Sequence, residues 1–256
     1  MPVVALIPLL LLATPALASD GLPLMRSMEA GMASDGEELS VSMQLVQADG
    51  RAEARTFRMW TLTQAGKANK SLIRFDAPSS ISGTALLMVQ RPDSRPDNWL
   101  YVPALNQVRR IAPQDGTDSF VGSQFTIEDM TVSVNPEARV YTVLGDVPCG
   151  DGRTCTQIED KPANDQAARI SGYGRVVLYI DAERFVAHRI DFYDKAGALL
   201  KVMTAKGLVP VGERWRFDSA TVTEVATGAS TIMTVTGRKN GGVDDSLFSP
   251  STLDAG

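Results

Sequence analysis

Groups that do covalent or acid–base chemistry are scarce in this 256-residue chain, which holds one histidine, His188, and two cysteines, Cys149 and Cys155. There is no Gly-x-Ser-x-Gly elbow, no His-Glu-x-x-His pair, no phosphate loop and no Gly-x-Gly-x-x-Gly fingerprint. Serine-hydrolase, zinc-peptidase, nucleotide and dinucleotide chemistry therefore lack their usual machinery. A carboxylate-only hydrolase needs two acids at a working distance. The adjacent pairs Glu128-Asp129 and Asp244-Asp245 read as turn, cap or ion-pair residues instead. His188 lies in a strand-like run beside Arg189 and reads as a surface or edge residue. No cofactor, no metal and no enzymatic activity is expected.

Basic runs are missing as well. A formal net charge of -5 and a sequence pI near 5.0 repel phosphate backbones on average, and no cluster of Lys or Arg interleaved with aromatics stands out. Nucleic acid is excluded as a partner. Beyond the first eighteen residues no stretch is long and apolar enough to span a bilayer as a helix. Internal repeats, low-complexity tracts and interdomain linkers are also lacking, so residues 19–256 read as one domain.

The opening run MPVVALIPLLLLATPALA is apolar and ends in Ala16-Leu17-Ala18, a small-x-small pattern that marks signal-peptide cleavage after Ala18. Its n-region carries no Lys or Arg, and an uncleaved anchor is the weaker reading because Pro8 and Pro15 interrupt it. No cysteine lies near the cut, so no lipid-modified terminus is expected. In an exported chain, the pair Cys149 and Cys155 around a Gly-rich turn is most simply a disulfide across a hairpin. A zinc site would have to recruit carboxylates around His188.

Leu22, Met25, Met28 and Met32 recur at spacings of three and four, which predicts a short helix with a methionine face, a lid over a cavity or a terminal helix packed on a sheet. Strand patterns follow: Leu39 to Leu45 alternates cleanly, and Arg55 to Thr63 carries large apolar groups on both faces, which implies that both are covered. Further strand character marks Ser71 to Phe75, Thr84 to Val89, Val140 to Leu144, Cys155 to Glu159, Arg175 to Ile180, Ala187 to Tyr193, Leu199 to Lys206, Arg214 to Val225 and Ser230 to Arg238. The linkers are too short for the crossover helices of a parallel sheet, so the strands are antiparallel. Such a set curls into a sandwich or barrel, with Asp160 to Ser171 as a loop or single helix and Val243 to Leu253 closing one end.

The stretch Asn98 to Met130 organises the chain. Asn98 to Val102 and Gln107 to Ile111 form a hairpin, and Ser119 to Met130 folds back over a sheet edge or rim. Arg109 and Arg110 point to opposite faces. One of them is expected to pair with Asp115, Asp118, Glu128 or Asp129, either as a structural clamp or as a ligand-binding arginine.

Residues Ile73-Arg74-Phe75, Ala77-Pro78, Ile81 to Leu86, Trp99 to Leu105, Val108 to Ile111, Ser119-Phe120, Gly122-Ser123, Phe125 and Glu128-Asp129-Met130 together resemble the signature of the LolA-like outer-membrane lipoprotein-sorting family. The nearer likeness is to the subgroup typified by a treponemal lipoprotein and associated with RND-type exporters. Trp99, Tyr101, Arg109, Arg110, Phe120, Gly122, Phe125 and Asp129 are its motif residues here. The resemblance implies a mainly β fold, a strongly curved, half-open antiparallel barrel with short helices covering its concave face. It also implies a periplasmic, non-catalytic carrier of lipid or acylated protein, with transient membrane contact. The N-terminal helical segment is shorter than the family's usual helix. Alternation nominates Met43, Leu45, Met59, Leu86 and Met88 to line the chamber. The alternative is a module that docks on an inner-membrane RND-type exporter without cargo, with Trp99 or Tyr101 as anchors.

Overall fold

The computed structural model describes residues 20–63, 67–91, 96–112, 117–130, 135–150 and 152–254. The expected leader, residues 1–18, and Asp115 lie outside the described residues. After the helix α1 (Leu22–Met32) the chain lays down β1 (Ser34–Val46), β2 (Ala52–Thr63), β3 (Asn69–Ala77), β4 (Ala85–Gln90), β5 (Asp97–Val102) and β6 (Gln107–Ile111). A second series comprises β7 (Arg139–Gly150), β8 (Arg153–Pro162), β9 (Arg175–Asp181), β10 (Val186–Tyr193), β11 (Leu199–Val211), β12 (Arg214–Glu224) and β13 (Ser230–Asn240). The helix α2 (Asp165–Ile170) precedes β9 and is capped by Asn164, whose side chain accepts from the Ala167 N–H.

All thirteen strands form one antiparallel sheet in the order β6-β5-β4-β3-β2-β1-β13-β12-β11-β10-β9-β8-β7. The barrel is half open: β6 and β7 are its two edges and do not pair. Register shifts at Ser40/Val41, Thr56/Phe57, Val143/Gly145 and Ala187/Arg189 mark bulges, which add local twist and bend a sheet this wide. β1 and β13, from opposite ends of the chain, meet at its centre. Consecutive strands β6 and β7 lie at opposite edges, roughly 58 Å apart along the arc at ~4.8 Å per strand. The chain between them must cross from one edge to the other, and it does so over the concave face.

Three apolar clusters follow from this layout. Phe57, Ile73, Phe75, Leu86 and Met88 face inward from the first half of the sheet and pack under Phe120 and Phe125 of the crossing segment. Leu62, Leu72, Leu87 and Val89 face outward and are covered by Phe248 and Leu253 of the tail. Every residue from Ala85 to Val89 is therefore buried, the pattern of a strand covered on both sides. The third cluster joins Met25 and Met28 of α1 to Tyr141, Ile158, Leu178, Ile180 and Phe192. The disulfide Cys149–Cys155 closes the β7–β8 hairpin.

Candidate functional site

The crossing segment turns sharply at Val121 and Gly122, both with positive φ, 50° and 76°. Glycine tolerates that conformation without strain, and Val121 is held in it by the Arg55 guanidinium, which donates to the Val121 carbonyl. Phe120 inserts against Phe75 and Phe57, at ring-centroid distances of 5.6 and 6.4 Å. Further along, the Lys201 Nζ of β11 donates to the Gln124 carbonyl at 3.0 Å and to an Asp129 carboxylate oxygen at 2.5 Å. Asp129 also accepts from the Thr126 N–H and the Tyr173 hydroxyl, each at 2.7 Å. The pair is buried, with side-chain exposures of 7% for Lys201 and 0% for Asp129. Burying two charges costs several kcal/mol each unless their remaining polar positions are filled, and here they are. Burial, with Asp129 adjacent, pushes the Tyr173 hydroxyl far above its ordinary pKa, so it stays a donor. Glu128 accepts from the Ser171 hydroxyl and the Gly172 N–H, tying the same segment to the approach to β9.

For Arg110 the described partner is an acid other than those expected, while Asp115 lies outside the described residues. Arg110 pairs with Asp97 on the neighbouring strand and lies 5.9 Å from the Trp99 ring. The pairing was expected with Asp115, Asp118, Glu128 or Asp129. Asp97 sits across the hairpin, within reach of the extended guanidinium, whereas Glu128 and Asp129 are carried inward by the crossing segment. Arg109 is exposed on β6. A clamp does hold the segment down, but Arg55 and Lys201 form it. Both could have been suspected from sequence: Lys201 shares the face of Met203 and Ala205 along β11, and a lone lysine on an apolar face needs a buried partner. His188, expected at the surface or an edge, has a side chain only 12% exposed. Its ring stands edge-on to Phe217, with centroids 4.9 Å apart. Ligand-type atoms of Cys149, Cys155 and His188 fall within 4.8 Å of one another, but both sulfurs are committed to the disulfide.

Under α1, the second half of the sheet leaves a cavity of about 840 Å³. Its apolar wall comes from Met25 and Met28 of the helix and from Val176, Leu178, Ile190, Phe192, Met203 and Phe217 of β9 to β12. Ala187, Ala205 and Ala220 take positions where larger side chains would close it. A polar margin is formed by Glu128, Asn135, Glu137, Arg139, Asp160 and Asn164. Within it Arg139 Nε donates to Asp160 at 2.6 Å. Burial raises the Asp160 carboxyl above its ordinary pKa, against the lowering pull of Arg139.

Helix α1 is held over this space by β12. Arg216 donates to the carbonyls of Gly31, Met32 and Ala33 at 2.8, 3.2 and 3.1 Å, and Arg214 also donates to Ala33. Guanidinium groups at a helix C-terminus satisfy orphan carbonyls and oppose the negative end of the dipole. The two arginines alternate along β12 and so share a face, a pattern visible in the sequence but not read there as a helix anchor.

None of the five residues nominated for the chamber lines this cavity. Met43, Leu45, Leu86 and Met88 are buried on the concave face and Met59 packs against them, but Phe57, Phe75, Phe120 and Phe125 fill the space above. Their facing was read correctly; the crossing segment's cover could not be seen in alternation. Trp99 and Tyr101, the expected anchors of a docking module, pack beside the tail cluster and are partly buried.

A family model described as "Uncharacterized protein" matches residues 67–255. Among solved structures, the chain is similar to a domain of Vibrio parahaemolyticus described as outer membrane lipoprotein-sorting, with 28% identity over 91% of this chain and 97% of that one, and a TM-score of 0.83. It is similar also to a DUF1329 family protein from Desulfovibrio piger, 24% identical over 92% of this chain and 100% of the other, TM-score 0.82. A LolA superfamily protein from Nitrosomonas europaea shares 16% identity over 91% and 98% of the two chains, TM-score 0.70. The latter two, at such identities, speak for fold alone. No curated protein matches the chain by sequence.

Proposed function

This chain belongs to the family whose model, described as "Uncharacterized protein", matches residues 67–255, and it has the LolA-like fold; from that premise we propose that it is a non-catalytic periplasmic carrier that shelters the acyl chain of a lipid or of an acylated protein. The observation that carries the reading is the cavity of about 840 Å³ between the methionine face of α1 and the inner face of β9 to β12. That volume lies toward the upper end of ligand-binding cavities. Each methylene moved from water to such a wall contributes about 0.8 kcal/mol, so a long chain gains enough to offset the ordering of both partners. Methionine, unbranched and polarizable, adapts to chains of differing shape. The Cys149–Cys155 disulfide suits an oxidising, exported setting.

Gentle extraction of the protein from its own periplasm, followed by native mass spectrometry, tests this directly. Co-purified lipid or acyl mass is expected, as is uptake of a fluorescent fatty-acid analogue by the emptied protein. Repeated absence of both would overturn the carrier reading. A second reading, docking on an inner-membrane exporter, draws on the exposed Leu105 and Val108 of the β5–β6 hairpin, Leu105 being 63% exposed. Under that reading, polar substitution of Leu105 and Val108 would abolish capture of the exporter and leave lipid content unchanged.

A further inference from the structure

The same cavity extends to the first half of the sheet, where Gln90 and Asn98 line it. Asn98 pairs with Met88 across the β4–β5 ladder, so Gln90, two residues beyond Met88, is its diagonal neighbour on the same face. Both side-chain amides bury their oxygens with no hydrogen-bond partner among the described residues, and Asn98 as a whole is 8% exposed. A buried amide oxygen is rarely left so, because nothing offsets the loss of its water. The terminal torsion of either amide is broad, so each group can turn to present its oxygen or its nitrogen to the cavity with the backbone fixed.

Charge around the margin narrows what could meet them. Glu128, Glu137 and Asp160 stand against Arg139, and Arg139 is already committed to Asp160. Asp129 is matched by Lys201. The other lining cation, Arg216, is taken up by the carbonyls of Gly31, Met32 and Ala33 and by Glu37 at 3.8 Å. A carboxylate or phosphate head would therefore enter beside Glu128 and Glu137, neither of which has a cationic partner among the described residues, and would have to compete with existing partners for Arg139 or Arg216.

We infer that the cavity takes an amphiphile with an uncharged head group that both donates and accepts hydrogen bonds, a hydroxyl or an amide, held by Gln90 and Asn98. This rests on the carrier reading and assigns its head-group specificity. The hydroxyl would come from a glycerolipid and the amide from an amide-linked acyl chain.

The test is displacement of the neutral fluorescent probe N-phenyl-1-naphthylamine by competitors of one chain length: monopalmitoylglycerol, palmitamide, methyl palmitate and palmitate. Monopalmitoylglycerol or palmitamide is expected to compete at about tenfold lower concentration than methyl palmitate or palmitate, and whichever of the two leads identifies the source. In a Gln90→Leu, Asn98→Leu double variant that advantage over methyl palmitate should vanish. Asn98→Asp, close to isosteric, should instead shift the preference toward hexadecylamine. Equal competition by all four ligands in the unaltered protein, or an advantage that survives the double variant, would overturn the head-group assignment, and the probe uptake seen in that experiment would leave the carrier reading standing. A protein that takes up neither the probe nor any competitor overturns both.

Discussion

The two halves of the sheet are built from the same antiparallel pattern and come to opposite ends. Around Met43 and Leu86, in β1 to β4, the concave face is covered: Phe57 and Phe75 from the strands meet Phe120 and Phe125 from the crossing segment, and the cavity reaches this half of the sheet at Gln90 and Asn98. In β8 to β12 the corresponding face carries Ala187, Ala205 and Ala220 beside Met203, and α1 roofs it with Met25 and Met28 without filling it. One half is a solid foundation and the other a container. The crossing segment belongs to both, since its front end completes the packed half and its far end, Ile127 to Asp129, lines the cavity. Among the described residues the room to change lies in the helix-covered half, so under the proposed carrier function the packed half can stay as it is.

That contrast can be broken most severely at the packed half. Phe120→Ala should cost about 4 kcal/mol in urea unfolding, because a fully buried ring leaves a cavity that its neighbours cannot close. Met28→Ala, on the cavity wall, should cost about 1–2 kcal/mol, since one side of that side chain already lacks packing partners. Equal costs at the two sites would mean that the container half is packed like the foundation. Lys201→Met strands the Asp129 carboxylate in a buried position and should cost about 3 kcal/mol, with loss of hydrogen-exchange protection spreading over residues 124–129.

A finer test uses two aspartates whose shifts run in opposite directions. At Asp160, in the container half, burial outweighs Arg139 and raises the carboxyl above its ordinary 3.8. The folded state then holds the proton longer than the unfolded state, so stability falls as pH rises from 3.8 through the higher folded value, and Asp160→Asn should remove that fall. At Asp97, in the foundation half, burial is outweighed by Arg91 and Arg110, and the carboxyl lies below 3.8. Its contribution is present above 3.8 and is lost as pH drops through the lower folded value, so Asp97→Asn should flatten the acid limb. Melting temperature followed from about pH 2 to 7 separates the two. The smallest effect is expected for Arg110→Gln: the guanidinium is largely exposed, and its loss should change stability by no more than about 0.5 kcal/mol.

Much of the framework was readable residue by residue. The helix Leu22–Met32, the hairpin Asp97–Ile111 and the disulfide all fall where periodicity, turn residues and cysteine spacing put them. The apolar groups on both faces of β2 correctly implied cover on both sides, which the crossing segment and the tail supply. The site was less legible. Met43, Leu45, Met59, Leu86 and Met88 were read to the inner face, but alternation reports facing and is silent about what lies opposite. The unread residues were those whose meaning is a distant partner: Arg55 with Val121, Lys201 with Asp129, and Arg216 with the end of α1.

Local chemistry alone therefore settled which segments are strands, which face each side chain takes and that two sulfurs join across one turn, because those properties depend on neighbours a few positions away. Where the long connection between β6 and β7 would lie, and hence which half would be filled and which left hollow, was decided only when the sheet curled. That choice depends on contacts between residues up to about a hundred positions apart, such as Gln124 with Thr231, whose free energy exists only after the edges have been brought round.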